Sequence, residues 1–184
     1  MSHIRLLPSP SPPLRITSDE ACLDAFQGEV DYVYRTLRRL GTSPSEVEDL
    51  TQEVYLALRH SWADYDAGRP LRPYLFGIAF RIAAAHHRKR KREVAFGIVE
   101  IADLNPGPEE VLQSKQARNL VLAALERIPL RRRAVLIMHD IDDIAVGEVA
   151  AVLAIPLFTV YSRLRKGRRE LETHVRRIQK EHGR

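Results

Sequence analysis

Cysteine is almost absent from this chain, because Cys22 is the only cysteine among 184 residues. One cysteine excludes an internal disulfide and a zinc site built from several thiolates, and it is typical of proteins from a reducing compartment. Long apolar runs are also absent, since none approaches the roughly 18 residues that a membrane-spanning helix requires. The first 15 residues lack the apolar core of a signal peptide. Together these absences predict a cytoplasmic protein with no stable membrane insertion.

Sequence motifs of catalysis and cofactor binding are missing as well. The chain has no glycine-rich phosphate loop and no arrangement of a nucleophile beside a base. Its seven histidines show no metal-ligand spacing, because the adjacent His86 and His87 fall on different faces of a helix. We therefore expect no enzymatic activity, no cofactor and no metal site.

Positive charge, by contrast, is abundant and unevenly distributed. The net charge is +5 and the pI is about 9.6. Residues 157–184 contain nine Lys or Arg against three Glu, so their local charge of +6 exceeds that of the whole chain. Residues 46–53 contain four acids and no base. This balance favours a polyanionic partner, with nucleic acid ahead of an anionic membrane surface, and it predicts a separate acidic surface.

Apolar residues in the first half recur at helical spacing, and no strand pattern appears. Capping boxes, in which Thr or Ser is followed three residues later by Glu, open the first two predicted helices. A loop with Asp, Gly and two prolines separates the second helix from the third, which ends in a basic run at residues 86–92. The three predicted helices cover residues 17–40, 43–61 and 73–92.

The second half is also predicted to be helical. Its helices are expected at residues 111–128, 129–139, 145–154 and from 157 onward. Residues 93–110 contain Asn-Pro-Gly-Pro and no clear period, so they are predicted to be a flexible linker that could span about 60 Å if extended. The predicted fold is therefore all-α, with two small helical domains. The predicted segments are a disordered tail at 1–16, a first domain at 17–92, the linker at 93–110 and a second domain at 111–184.

Two helices of the second half form a helix-turn-helix pattern. A short apolar stripe is followed by a turn at residues 154–157 and by a helix with exposed basic and polar residues. Such a second helix enters the major groove of DNA, although a basic face that only confers solubility is the alternative. The turn position usually given to glycine holds Ala154, for which a left-handed conformation would cost about 1–2 kcal/mol. The residues predicted to read DNA are Thr159, Tyr161, Ser162, Arg163, Arg165 and Lys166.

Four segments resemble signatures of one protein family. Residues 48–56, EDLTQEVYL, resemble the EDLxQEVF signature of region 2 in bacterial sigma factors, and residues 73–81, PYLFGIAFR, resemble the WLxxIAxN segment that follows it. Residues 125–138 are similar to the opening of region 4, and residues 148–164 are similar to its EIA…TVxSRL core. The order of these segments, without a region 1 or region 3 domain, resembles the extracytoplasmic-function (ECF) group of sigma-70-type factors.

The chain departs from the family pattern at three positions. Tyr74 stands where tryptophan is usual, Arg81 where asparagine is usual, and Phe158 where glycine often stands. Tyr74 still offers an aromatic ring. The other two departures concern the promoter sequence that is read, rather than the function.

The resemblance implies an adaptor that bridges core RNA polymerase to promoter DNA, recognises −10 and −35 elements and helps to open the duplex. The polymerase clamp helices would bind Asp49, Gln52 and Glu53. The melted −10 strand would contact Tyr65, Arg69, Arg72, Tyr74 and Arg81. Upstream phosphates would contact Arg88, Lys89 and Arg90, and the −35 element would lie on the helix-turn-helix residues. ECF factors are often held by an anti-sigma protein, which makes an anti-sigma factor a further candidate partner.

Two other functions compete with this interpretation. A dimeric helix-turn-helix regulator that acts without binding core polymerase would explain the second half equally well, but not the EDLTQEV segment or the aromatic loop. A membrane-surface protein with basic amphipathic helices is the other alternative. It is disfavoured because no bulky apolar residues lie opposite the final basic run.

Overall fold

The computed structural model describes residues 19–95 and 112–182, and within these ranges it contains eight α-helices and no β-strand. The helices are α1 (Asp19–Gln27), α2 (Val30–Arg39), α3 (Val47–His60), α4 (Leu71–Ala95), α5 (Leu112–Glu126), α6 (Leu130–Leu136), α7 (Val146–Val152) and α8 (Leu157–His182). A 3₁₀ turn at Trp62–Asp64 precedes α4, and a π-helical turn at Ile137–Ile141 extends α6. The predicted tail and residues 96–110 of the predicted linker lie outside the described residues.

The prediction of one continuous first helix is wrong, because α1 and α2 are separated by a turn. Glu29 donates its backbone N–H to the carbonyl of Phe26 over 2.9 Å, which is a tighter bond than the α-helical pattern makes. Gly28, a weak helix former, stands at the break. The break allows α1 to pack on α3 while α2 packs on both α3 and α4. Apolar spacing continues across the turn, so periodicity alone did not reveal it.

The first unit, α1 to α4, is built around the helix faces that the apolar spacing predicted. Its fully or nearly fully buried side chains include Val33, Leu37, Leu50, Val54, Leu58, Leu75 and Phe76. Each such side chain contributes about 1.5–3 kcal/mol through the loss of water-exposed apolar area. At the start of α3, the Ser43 hydroxyl donates to the carboxylate of Glu46, and the Ser43 carbonyl accepts the N–H of Val47 over 3.1 Å. Ser43 and Glu46 are thus bonded to each other, but the predicted capping box does not open this helix, since α3 begins at Val47 with Glu46 as its N-cap and no side-chain capping bond.

The second unit, α5 to α8, contains the predicted helix-turn-helix as α7 and α8. In this unit α8 packs against α5, α6 and α7, and it buries Val160 and Leu164. Gly167 permits the contact with α6, because a Cβ atom there would lie 2.9 Å from Cδ1 of Leu136. Ala154, in the turn before α8, has a φ of +50°. The left-handed conformation anticipated at this position is therefore present.

The two units pack against each other, with α2 on α5 and α4 on α7, and their buried side chains form one continuous core. Polar contacts accompany this packing. Asp142 accepts hydrogen bonds from the Tyr32 hydroxyl over 2.9 Å and from Arg39 Nη1 over 3.0 Å. The backbone carbonyl of Leu40 accepts a bond of 2.7 Å from Arg133 and lies 3.0 Å from Nε2 of His87. The end of α2 is thus a junction between the units.

Replacing Ala154 with glycine should stabilise the protein. The substitution removes the strain of a left-handed alanine, which costs about 1–2 kcal/mol in the folded state. It also stabilises the unfolded chain by about 0.4–1 kcal/mol, because glycine has more conformational entropy. We expect Ala154→Gly to raise the free energy of unfolding in urea by up to ~1 kcal/mol. Ala151→Gly, inside α7, is the matched control and should lower that free energy by about 0.5–1 kcal/mol. An equal loss in both variants would contradict the assignment of strain to Ala154.

The stability of the protein should fall at mildly acidic pH through His87. Burial, together with the nearby charges of Arg133, His86 and Arg90, lowers the pKa of His87 from its ordinary value of 6.5, although its bond to Leu40 opposes the shift. The unfolded chain then binds a proton that the folded chain does not. The contribution of His87 is therefore present above pH 6.5 and is lost as the pH falls toward the lowered pKa.

The measurement is thermal unfolding of the parent and of His87→Gln between about pH 7.5 and 5.5. The variant should lose less stability over this range than the parent does. His60→Gln, at the exposed end of α3, controls for the loss of one histidine. Parallel pH profiles for the parent and His87→Gln would contradict the role of His87.

Candidate nucleic-acid interface

Helix α8 presents a polar and basic surface opposite its buried stripe. Of the six residues predicted to read DNA, Tyr161, Arg165 and Lys166 are exposed, and Thr159, Ser162 and Arg163 are half-buried. Burial, followed by the charges of Arg131 and Arg132, lowers the pKa of Arg163 from its ordinary value. All six residues therefore lie on α8, within its first ten residues.

Some of the basic side chains on and around α8 are paired with acidic residues. Arg168 donates two hydrogen bonds to the carboxylate of Asp140, over 2.6 and 2.9 Å. Arg132, on α6, likewise makes two bonds of 2.8 Å with Glu170 of α8. These pairs fix α8 against α6 and its π turn, and they leave Arg165 and Lys166 exposed on the helix.

Apolar side chains also project from the first turns of α8. Phe158 is 74% exposed, Tyr161 is 57% exposed and Leu157 is 48% exposed. Side chains this large are seldom left in water without a partner when they adjoin one another. From the sequence alone, Phe158 was notable only as a departure from the family pattern. Its exposure beside Tyr161 makes it a candidate contact that the sequence-based list omitted.

The loop before α4 holds a cluster of aromatic rings. Tyr65 stacks on Trp62 with ring centroids 5.2 Å apart and lies 5.1 Å from the ring of Tyr74. The Tyr65 hydroxyl donates to the carbonyl of Arg69 over 2.5 Å, and the Tyr74 hydroxyl donates to Ser61 over 2.8 Å. Tyr65 is only 7% exposed. Its principal role in this structure is to shape the loop.

Four of the five residues predicted to meet the melted strand line one cleft. The cleft has a volume of about 280 Å³ and is lined by Tyr65, Arg69, Tyr74 and Arg81 of the first unit and by residues of α7. Arg72 does not line it. Instead, its guanidinium donates to the Glu29 carboxylate over 2.9 Å and lies 5.3 Å from the centre of the Tyr32 ring.

The basic end of α4 lies across a second cleft from α8. This cleft, of about 670 Å³, is lined by His87, Arg88 and Lys91 of α4, by the start of α6, and by Thr159, Ser162, Arg163 and Lys166 of α8. Lys89 and Arg90, two of the predicted phosphate contacts, are not part of its lining. Arg90 lies 3.7 Å from Glu46, and Lys89 lies 3.9 Å from Glu93.

The three residues predicted to bind polymerase lie together on α3. Asp49, Gln52 and Glu53 are all exposed. Gln52 also borders an apolar groove of about 320 Å³ between α1 and α3, whose lining includes Leu23, Phe26, Val30 and Tyr55. The sequence-based prediction covered the polar face alone. The adjoining groove depends on how α1 packs on α3, which periodicity did not specify.

Neither a metal-binding cluster nor a single membrane-spanning helix occurs in the described ranges. No group of three or more His, Cys, Asp or Glu side chains there could hold a metal ion. Within the same residues no single helix is long and apolar enough to cross a membrane, and α7 with α8 passes that test only as a pair bent by 106°.

Comparison with known families assigns both units. Residues 25–93 match the family model of Sigma-70 region 2, and residues 118–171 match that of Sigma-70, region 4. The first match covers most of the α1–α4 unit, and the second includes α7 and the part of α8 up to residue 171.

Curated relatives are ECF and related sigma factors. SigE of Mycolicibacterium smegmatis is 29% identical over 167 residues, which is 86% of this chain and 65% of SigE. CnrH of Cupriavidus metallidurans is 27% identical over 73% of this chain and 75% of its own. SigW of Bacillus subtilis is 26% identical over 83% of this chain and 90% of its own. The chain therefore spans just under two thirds of the length of SigE and most of the length of SigW.

Solved structures share the fold. The sigma factor RpoE, solved with the anti-sigma factor NepR from Bartonella quintana, superposes with a TM-score of 0.70 at 19% identity, over 85% of this chain and 98% of that one. CnrH, solved with the cytosolic domain of CnrY, has a TM-score of 0.60 at 21% identity over 85% and 88%. Both family regions occur here in the same order on an all-α fold, and the chain belongs to the extracytoplasmic-function group of the sigma-70 family.

Proposed function

We propose that this chain binds core RNA polymerase, recognises −10 and −35 promoter elements and promotes DNA melting at the start of transcription. The observation that carries the proposal is the presence of regions 2 and 4 in one chain, with an exposed acidic face on α3 and exposed bases on α8. The relatives are named as RNA polymerase sigma factors. The proposal includes no catalysis by this chain, and it places the chain's action in the cytoplasm, where it would meet polymerase.

Polymerase binding is assigned to the face of α3 that carries Asp49, Gln52 and Glu53. Two carboxylates beside an amide are a poor surface for DNA but suit basic side chains on a protein partner. The apolar groove that Gln52 borders would add buried area, because Leu23 is 40% and Val30 is 39% exposed. A protein surface of this composition, with an apolar centre and a polar rim, is typical of an interface.

Promoter recognition is assigned to α8 and to the cleft beside the aromatic loop. At α8, Arg165 and Lys166 can reach bases or phosphates, and the exposed ring of Phe158 can contact a thymine methyl group. At the cleft, which Asp64, Asp66 and Glu148 also line, Arg69 and Arg81 supply positive charge beside the half-buried ring of Tyr74. Single strands are held by this combination of stacking and backbone contact.

Two further statements follow from the relatives. RpoE and CnrH were each solved with another protein bound, NepR and the cytosolic domain of CnrY respectively. We propose that an anti-sigma factor is also a partner of this chain. A dimeric regulator that acts without polymerase remains the alternative, and it is not favoured because it leaves the region 2 match over residues 25–93 unexplained.

Charge reversal on α3 should weaken polymerase binding. In the variant Asp49→Lys with Glu53→Lys, we expect affinity for core polymerase to fall by at least about tenfold, since like charges would face the basic partner surface. Co-purification and fluorescence titration with purified core enzyme measure this loss. The matched control is Asp31→Lys with Glu172→Lys, which makes the same charge change on exposed positions of α2 and α8. If both variants bind alike, α3 is not the docking face.

Removal of Arg81 should impair strand opening. Arg81→Ala is expected to reduce the permanganate reactivity of thymines near the −10 element several-fold, because the cleft loses an exposed cation. Promoters for the assay come from run-off transcription of genomic fragments with core polymerase and the parent chain. Arg72→Ala should have a smaller effect, since Glu29 holds that guanidinium outside the cleft. Arg35→Ala, on the exposed side of α2, is the control, and normal melting by Arg81→Ala would exclude this role.

A further inference from the structure

Large apolar side chains are exposed side by side at the start of α8. Phe158, which is 74% exposed, is the most exposed large apolar side chain in the described ranges, and Leu157 and Tyr161 lie within one helical turn of it. Single apolar side chains on a surface are ordinary, whereas a contiguous patch marks a contact site. The apolar patch formed by Leu157, Phe158 and Tyr161 therefore indicates a partner.

The apolar patch cannot join the core of its own unit. Successive residues of an α-helix are separated by about 100°, so Phe158 lies about 160° around the helix from buried Val160 and about 120° from buried Leu164. The patch is also separate from the cleft shared with α4, because neither Phe158 nor Tyr161 is among the described residues that line it. Contacts within the described part of the chain thus leave both rings to an external partner.

Positive charge continues the row that Phe158 and Tyr161 begin. Arg165 and Arg169 follow Phe158 by about two and three turns, so all four side chains share one exposed side of α8. A partner on this side must accept an apolar contact at one end and two cations at the other. Duplex DNA does both, because the N-terminal end of such a helix enters the major groove while basic side chains further along meet phosphates. A purely apolar protein surface would leave two guanidinium groups without compensation.

The chemistry of the patch selects one of the four nucleotide bases. Thymine alone displays an apolar group in the major groove, its C5 methyl, whereas the other edges display hydrogen-bond donors and acceptors. The side chain of Phe158 has no polar atom with which to read those edges. Phe158 and Tyr161 are separated by a rise of about 4.5 Å along α8, which is comparable with the roughly 3.4 Å between neighbouring bases. The two rings can therefore contact methyl groups on adjacent base pairs.

We propose that the apolar patch makes this chain selective for thymine in the −35 element, with Phe158 as the principal reader of the C5 methyl group and Tyr161 as the second. Arg165 and Arg169 position the helix on phosphates, which carry no sequence information. A glycine at position 158, which the family pattern often has, offers no side chain for this contact. The inference rests on the function proposed above and gives it a preference for one base.

Removal of single methyl groups from the DNA tests the proposal. A promoter obtained by run-off transcription with core polymerase and the parent chain is synthesised with deoxyuridine, which lacks only the C5 methyl, in place of each −35 thymine in turn. Competition binding of the assembled holoenzyme measures the affinity. For the parent we expect a loss of about fourfold at the one or two thymines that the patch contacts. In Phe158→Ala the same replacement should change the affinity by less than about twofold, because the contact is already absent.

A cytosine that carries the same methyl group supplies the reverse test. 5-Methylcytosine adds the methyl group to a G·C pair without changing the hydrogen-bonding groups of that pair. At the position identified with deoxyuridine, the parent should bind 5-methylcytosine about fourfold more tightly than cytosine, and Phe158→Ala should bind both alike. Phe158→Leu, which keeps an apolar side chain, should retain part of the preference.

Two matched variants control for effects unrelated to the patch. Tyr34→Ala removes an aromatic ring that is 39% exposed on α2 and should leave the deoxyuridine penalty unchanged. Arg165→Ala should weaken binding to every promoter to a similar degree and make binding less dependent on salt, while the penalty stays at about fourfold. Circular dichroism and thermal unfolding should show that Phe158→Ala folds as the parent does, since this side chain lies outside the core.

The outcomes separate this inference from the proposed function. If no −35 thymine shows a deoxyuridine penalty, or if the penalty persists undiminished in both Phe158→Ala and Tyr161→Ala, thymine selection by the patch is overturned while the sigma factor function stands. If Phe158→Ala binds core polymerase more weakly in the absence of DNA, or loses a dimer that the parent forms, the patch is a protein interface and the inference also fails. Failure of the parent to initiate with core polymerase on any genomic fragment overturns the proposed function and this inference with it.

Discussion

A single buried guanidinium, that of Arg133, connects the parts of this fold. It donates to the carbonyls of Glu126 and Ile128 at the end of α5 and to the carbonyl of Leu40 at the end of α2. The last carbonyls of a helix have no partner within the helix, and here one cation serves two such ends. Burial lowers its pKa to about 10, so Arg133 remains charged at neutral pH. Glycine at position 41 is required beside it, because a Cβ atom there would lie 2.3 Å from Nη1.

The charged residues are distributed over the helix faces that point away from the core. Each helix presents one apolar side to the core, so function depends on which charges occupy the other side. Acids gather on α3, and bases gather on the end of α4 and along α8. Part of the basic charge is committed to structure, since Arg168 pairs with Asp140 and Arg132 pairs with Glu170. Sequence counts of Lys and Arg thus overstate the charge that α8 can offer to DNA.

The all-helical fold, most of the helices and the helix-turn-helix could be predicted from the sequence, because apolar spacing acts over a few positions. The break between α1 and α2 could not, because that spacing continues across Gly28. The left-handed conformation of Ala154 was also foreseeable, since a turn of this length needs it. Contacts between distant segments were not. Tyr32 meets Asp142 across 110 residues, and no local pattern encodes that pairing. The same reason explains why Arg72, predicted to face DNA, is instead bound by Glu29 in the preceding turn between helices.

The π-helical turn at Ile137–Ile141 has a consequence for how the halves recognise each other. Its wide bond, from the N–H of Asp142 to the carbonyl of Ile137 over 2.9 Å, adds one residue to a helical turn. Each residue of an α-helix advances the chain by about 100°, so this surplus residue sets the azimuth at which Asp142 emerges. A chain one residue shorter at this point would rotate the carboxylate away from Tyr32 and Arg39. The π turn therefore sets the direction in which Asp142 points, and with it the angle at which the second unit meets α2.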